Sequence, residues 1–296
     1  MAFFRKGRNA NFSILNGFSW HVPGIGGLFA MLGWFLAGLV FSNILGAALV
    51  LAVPGISLEY VQLVYPLMFL PAMVASKYIS NKNLYFEEGF KVDSPAAESM
   101  NPWKAGLLCC LATFSIGYLM DLLNGLLPEM SDTWAKALEA MVGGNLLVNF
   151  LCLSIFAPFF EEWFIRGTLL RGLLNCKRAG GRRGYSPFWS IVATSAIFGL
   201  IHGNIWQALP AFAIGCLFGY VYYKTRSLKL TMLMHAFNNT LSLLMCQLLP
   251  DGNLATWADV VPAPQLYAIA AACLAVLILV VLQLRRIPAP SAWPRP

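Results

Sequence analysis

The sequence predicts an all-α, polytopic integral membrane protein of about eight spanning helices, with both termini on the cytoplasmic side. Three observations predict it. First, 58% of the 296 residues are hydrophobic and only 11% are charged, where a soluble domain carries about 25% charged residues. Second, apolar runs close to the ~20 residues that a spanning helix needs recur along the whole chain. Third, the basic residues fall on alternate sides of those runs, as the positive-inside rule requires of a multi-pass protein.

The runs lie roughly at 26–53, 59–79, 104–127, 141–172, 187–203, 206–223, 228–249 and 265–284. Arg5, Lys6 and Arg8 before the first resemble the basic start of a signal peptide. The apolar run that follows is far longer than the usual ~7–15 residues, so it reads as a first spanning helix. His21, between Trp20 and Pro23, reads as interfacial. The loop Ser80 to Pro102 mixes charges with Tyr85, Phe86 and Phe90, and part of it is expected to lie on the membrane surface. Asp121, near the outer end of the third run, is expected at the interface.

The fourth run is too long for one span, so its end is expected to project into the cytoplasm or to lie at the interface. The fifth is short, and Gly203-Asn204 is the only turn signal that separates it from the sixth. Lys177 to Ser186, with Gly180, Gly181 and Gly184, reads as a flexible basic connection. The tail 286–296, rich in proline, reads as disordered. With the N-terminus inside, every basic residue except Lys136 falls on the inner side, while Glu129, Asp132, Asp251 and Asp259 mark the outer loops.

No polar stretch is long enough for a separate soluble domain, so residues 1–296 read as one membrane domain. The seven cysteines show no CxxC or zinc spacing and read as small buried hydrophobes. The net charge of +7 sits in short loops between apolar runs, which argues for topology signals and against a nucleic-acid partner. Neither repeats nor inverted symmetry are visible, which argues against a proton-coupled transporter.

One stretch breaks the apolar pattern. Leu146 to Phe160 carries no charge, and then Glu161-Glu162 follow, with Arg166 four residues after the second. An ionisable group at membrane depth costs roughly 2.5–3.5 kcal/mol on insertion scales, and by default it marks a functional site. At i,i+4 spacing Arg166 stacks over Glu162 and can pair with it. Glu161 is rotated by about 100° from Glu162, so it is expected to point elsewhere, into a cavity.

Two of the three histidines also lie in apolar runs: His202, four residues after Phe198, and His235, four before Asn239. Burial in apolar surroundings can make a carboxylate a general base near neutrality. A histidine can orient the same water or bind a metal, and histidine with asparagine can donate to a developing oxyanion. Together these groups would hydrolyse a peptide bond with an activated water. A polar network that only fixes helix packing fits the spacing as well. Counted along the helix from the expected cytoplasmic end of each run, His202 lies about 22 Å in from Pro187, Glu161 about 15 Å in from Arg171 and His235 about 10 Å in from Leu228, so convergence requires tilted helices. The sequence has no His-Glu-x-x-His, Gly-x-Gly-Asp or Gly-x-Ser-x-Gly motif for other protease chemistries.

Glu161-Glu162-x-x-x-Arg166, Phe198-x-x-x-His202 and His235-x-x-x-Asn239, in that order on successive membrane segments, resemble the CPBP intramembrane proteases. These are the CAAX prenyl endopeptidases and bacteriocin-processing enzymes, also called the Abi family. The resemblance covers about 137–249. It implies an eight-helix fold with an intramembrane site in which Glu161 and His202 activate water and His235 and Asn239 bind the oxyanion. Glu162, Arg166 and Phe198 would support them. It leaves two mechanisms open: a divalent metal, zinc first, held by Glu161, His202 and His235, or no metal. The implied partners are the lipid bilayer and a membrane-associated peptide or protein, prenylated or bacteriocin-like. The expected location is a prokaryotic cytoplasmic membrane. The alternative is a non-catalytic immunity or scaffold protein that keeps the motifs.

Overall fold

The computed structural model describes residues 23–82, 92–93, 101–176, 184–248 and 256–288, and these residues are helical or irregular, with no strand among them. The helices are α1 (Ile25–Ala52), α2 (Leu58–Val61), α3 (Leu70–Lys82), α4 (Pro102–Asn124) and α5 (Asp132–Val142). They continue as α6 (Leu146–Asn175), α7 (Pro187–Leu200), α8 (Ile205–Thr225), α9 (Leu228–Leu248), α10 (Trp257–Val260) and α11 (Ala263–Arg286). A 3₁₀ segment, Gln62–Phe69, joins α2 to α3. Each of the eight predicted runs lies on helix. His21, the aromatic loop residues Tyr85, Phe86 and Phe90, the basic stretch 177–183 and the tail beyond Pro288 lie outside the described residues.

The chain is a multi-pass integral membrane protein. Among the described residues five helices, α1, α4, α6, α8 and α11, are long and apolar enough to cross a bilayer. Their outward faces carry the side chains that a water-soluble protein would hide. Phe29, Leu51 and Trp103 are 71%, 83% and 88% exposed, and a lipid solvent makes that exposure favourable. α7 has 14 residues, which at 1.5 Å per residue is about 21 Å, short of the ~30 Å hydrocarbon core. It turns back as α8 through Ile201 to Asn204. Gly203 takes φ 73° there, and the Asn204 side chain caps α8 by accepting from Gln207 N at 2.9 Å. The α7–α8 hairpin closes over glycines. A Cβ on Gly199 would come within 2.6 Å of the Ala208 carbonyl oxygen, and one on Gly215 within 3.1 Å of Ser195. Such close approach of backbones is how helices associate where lipid supplies no hydrophobic drive.

The fourth predicted run starts in the last residues of α5, breaks at Gly143-Gly144, where Gly144 has φ 79°, and continues as α6. Its end is packed within the protein. Residues 163–172 are all buried, and Trp163, Phe164, Ile165 and Leu170 are 0% exposed. The physical reason is the number of neighbours. Phe35 of α1, Phe69 of the 3₁₀ segment and Ile191 and Phe198 of α7 all pack into one core with this stretch. α6 is also not a uniform α-helix. Phe150–Phe156 and Trp163–Leu170 are π-helical, on either side of an α-helical Ala157–Glu162. Pro158 lacks the N–H that an α-ladder would use, and the wider register before it absorbs that loss. π-Helical turns inside α-helices mark functional sites more often than chance.

α9 is fixed at its N-terminal end by a residue distant in sequence. Asp93 Oδ1 accepts from the backbone N–H of Leu228 at 2.9 Å and of Lys229 at 3.3 Å, an N-cap supplied in trans. Its neighbour Val92 is buried, and the Val92 carbonyl accepts from the Tyr222 hydroxyl at 2.8 Å.

Candidate active site

The polar groups meet where α6, α7, α8 and α9 converge, with the 3₁₀ segment packed against α6. Glu161 and Glu162 stand at the junction of the α-helical and π-helical parts of α6. Glu162 is 0% exposed, and its Oε1 accepts from Arg166 Nη1 at 2.7 Å, as the i,i+4 spacing predicts. Arg166 is fully enclosed. Nη2 donates to the Gly215 carbonyl of α8 at 3.1 Å, and the guanidinium lies 4.7 Å from the Phe198 ring centroid and 5.4 Å from that of Phe218. Two aromatic faces, a carbonyl and a carboxylate replace the water that this cation loses.

The two glutamates share one neighbour. Both reach His235 of α9. His235 Nδ1 lies 3.0 Å from Glu162 Oε1, and His235 Nε2 lies 3.8 Å from Glu161 Oε2. The rotation between consecutive residues is real, but an imidazole presents two nitrogens on different edges, and each glutamate takes one. An ionised carboxylate only accepts, so Nδ1 carries the hydrogen and Nε2 is the nitrogen left to act. Glu161 is held from its other side by a residue that the sequence reading missed. The Tyr65 hydroxyl, from the 3₁₀ segment, donates to Glu161 Oε1. The remaining atom, Glu161 Oε2, is buried, has no hydrogen-bond partner and faces His235. A buried carboxylate oxygen without a partner is rare in native proteins.

His202 is nearby but not joined to either glutamate. It sits in the turn after α7, and its Nδ1 lies 2.8 Å from the Phe198 carbonyl oxygen. The Phe198 ring contacts both imidazoles edge-on, with centroids 5.2 Å from His202 and 5.7 Å from His235. Phe198 therefore touches three members of the set: Arg166, His202 and His235. Asn239, one turn beyond His235, donates Nδ2 to the Leu153 carbonyl at 2.8 Å and accepts from Asn238 at 3.2 Å. One of its two amide hydrogens is thus engaged with α6, and the other is left for a ligand. Asp121 takes no part. Its Oδ2 accepts from Trp257 N at 2.8 Å and caps α10.

Zinc needs each ligand atom within about 2.0–2.3 Å of one point. Glu161 Oε2 and His235 Nε2 face each other 3.8 Å apart, and His202, with Nδ1 at the Phe198 carbonyl, keeps Nε2 as its free ring nitrogen. Among the described residues no three His, Cys, Asp or Glu side chains gather as a metal site. The set Glu161, His202 and His235 as placed does not fit a three-ligand metal centre.

Beside Asn239, α6 and α9 diverge to leave a cleft of about 440 Å³ lined by Leu146, Leu147, Phe150, Thr240, Leu243 and Leu244. Its wall is almost wholly apolar.

Residues 143–241 match the family model described as Rce1-like, type II CAAX prenyl endopeptidase. The matched segment runs from the glycine break before α6 to the middle of α9, so it contains both glutamates, Arg166, His202, His235 and Asn239. No curated protein and no solved structure matches the chain.

Proposed function

We propose that this chain, Rce1-like over residues 143–241, is an intramembrane endopeptidase in which Glu161 is the general base. The observation that carries the reading is the position of one atom. Glu161 Oε2 is buried, without a hydrogen-bond partner, and aimed at His235 Nε2 at 3.8 Å. A water between them would give a proton to Glu161 Oε2 while its oxygen attacks the peptide carbonyl carbon. The carbonyl oxygen becomes an oxyanion, and the second amide hydrogen of Asn239 is the donor assigned to receive it, while the unprotonated Nε2 of His235 accepts the water's other hydrogen and orients it. Collapse of the tetrahedral intermediate breaks the C–N bond, and the proton on Glu161 passes to the leaving amine. Such general-base transfer contributes typically 10²–10⁴-fold, and each oxyanion donor roughly 2.7–4 kcal/mol.

Glu162 has a different task in this scheme. Its charge is matched by Arg166, and its contact with His235 Nδ1 fixes the ring so that Nε2 points at Glu161. His202, partly exposed at the end of α7, is assigned to orient the substrate or the water from the Phe198 side. The steps as proposed use side chains alone.

The substrate proposed is a membrane-associated peptide or protein that carries a lipidated cysteine near its C-terminus. Its support is the family description together with the apolar cleft beside Asn239. The location proposed is a prokaryotic cytoplasmic membrane, on sequence grounds alone. The test is hydrolysis of a farnesylated fluorogenic peptide ending in Cys-aliphatic-aliphatic-X by protein in proteoliposomes. Glu161→Gln keeps the shape and removes the base, so the folded variant should lose at least about 10²-fold in turnover. A folded Glu161→Gln protein with undiminished cleavage would overturn the reading.

A further inference from the structure

We infer that Tyr65 is a positioning residue for catalysis: its hydroxyl holds one oxygen of Glu161 and thereby selects the other as the base. The inference rests on the reading of Glu161 given above and deepens it. Glu161 has two chemically equivalent oxygens, and rotation about its last side-chain bond is broad and roughly two-fold. Nothing on α6 itself distinguishes them. Tyr65 does, because its hydroxyl donates to Oε1 and leaves Oε2 turned to His235 Nε2 at 3.8 Å. Glu162 has no such guide and needs none, since its Oε1 takes both Arg166 and His235 while Oε2 makes no hydrogen bond.

The phenol can act as a guide only if it is itself fixed, and three features fix it. Pro66 follows it inside the 3₁₀ segment and locks the backbone. The segment is clamped to α1, where Ser42 Oγ donates to the Val64 carbonyl at 3.0 Å. There, too, Gly38 lies so close that a Cβ would fall 2.1 Å from the Met68 carbonyl oxygen. Phe69 then ties the same segment to α6: its ring packs against Tyr65 at 5.7 Å and against Phe160, next to Glu161, at 5.7 Å. The clamp therefore holds both ends of the hydrogen bond.

The experiment uses full-length protein. Turnover of the farnesylated peptide is measured in proteoliposomes for wild type, Tyr65→Phe and Glu161→Gln, and apparent unfolding temperature is measured in detergent for these and the double variant. Tyr65→Phe removes one oxygen atom. A hydrogen bond to a charged group corresponds to roughly a 10–100-fold effect. The expected result is therefore a kcat lowered by about 10-fold or more, with KM within about twofold, and non-additive unfolding shifts because Glu161→Gln weakens, by loss of charge, the same bond that Tyr65→Phe removes. Equal kcat for Tyr65→Phe and wild type, or additive unfolding shifts, would overturn the inference. If Glu161→Gln is inactive and Tyr65→Phe is fully active, only this inference falls. If Glu161→Gln is fully active, the reading of Glu161 falls and takes this one with it. Should Tyr65→Phe not fold, 3,5-difluorotyrosine at position 65 keeps the shape with a stronger donor. It must then change kcat at constant KM, and an unchanged kcat refutes the role.

Discussion

His235 Nδ1 lies 3.0 Å from Glu162 Oε1, a contact between α9 and α6 that places a histidine between two consecutive glutamates. It makes His235 a structural and a chemical residue at once, while His202 has one local hydrogen bond at the end of a helix. The two histidines should therefore separate experimentally. His235→Ala should lower both the unfolding temperature and turnover, because it leaves Glu162 with Arg166 alone and Glu161 without its facing nitrogen. His202→Ala should lower turnover by at least about 10-fold with little change in unfolding temperature. Thermal unfolding and peptide cleavage on the two purified variants decide it; equal destabilisation by both would contradict the geometry.

The Glu162–Arg166 pair is fully buried, at 0% and 1% exposure. Removing one partner from such a pair leaves an uncompensated charge and costs about 3–5 kcal/mol, whereas replacing both by apolar residues is often close to neutral. Arg166→Met should accordingly destabilise the protein more than the double substitution Arg166→Met with Glu162→Leu. Denaturant or thermal unfolding in detergent measures this directly, and a double variant weaker than both single ones would argue against the pairing.

Two glycines lie where helices touch. A Cβ on Gly38 would meet the Met68 carbonyl oxygen at 2.1 Å, and one on Gly199 would meet that of Ala208 at 2.6 Å. Both obstacles are backbone, so neither can swing aside. Gly38→Val should cost about 1–3 kcal/mol and displace the segment that carries Tyr65. Gly199→Val should pry open the hairpin that carries His202. Each should lower turnover as well as unfolding temperature, and a Gly38→Val protein with wild-type activity would show that the α1 clamp is dispensable.

Asp93 caps α9 across a long stretch of sequence. Loss of an N-cap side chain costs about 0.5–2 kcal/mol. Asp93→Ala should lose that stability and Asp93→Asn, which keeps an acceptor, should recover most of it. Unfolding temperature is the measurement.

Metal dependence follows from the ligand geometry. Since Glu161, His202 and His235 do not converge on one point among the described residues, prolonged dialysis against a chelator should leave turnover of the farnesylated peptide within about twofold of the untreated enzyme. Stoichiometric zinc in purified protein that is lost in His202→Ala would reverse this expectation.

Much of the architecture was legible because hydrophobicity along a chain reports directly on lipid contact. All eight apolar runs are helical, and Gly203-Asn204 does mark the turn between α7 and α8. The Glu162–Arg166 pair was legible because i,i+4 neighbours on one helix need no tertiary information. The reading failed where contacts cross between elements. Nothing in Leu63-Val64-Tyr65-Pro66 signals that one hydroxyl reaches Glu161, 96 residues on. The only available hint was a hydrogen-bonding side chain beside a proline in an apolar run.

The sequence by itself determined that this protein lives in a membrane, that its helices follow the observed order, and that ionisable groups recur on α6, just after α7 and on α9. Those properties are local: they depend on transfer free energies and on helical periodicity, which each segment carries alone. Only the tertiary structure decided which nitrogen meets which carboxylate oxygen. It set His235 between the two glutamates, kept His202 apart, and brought Tyr65 to Glu161. Such choices depend on where helices cross, and close backbone contacts at Gly38 and Gly199, the break at Gly143-Gly144 and the π-helical turns of α6 fix those crossings.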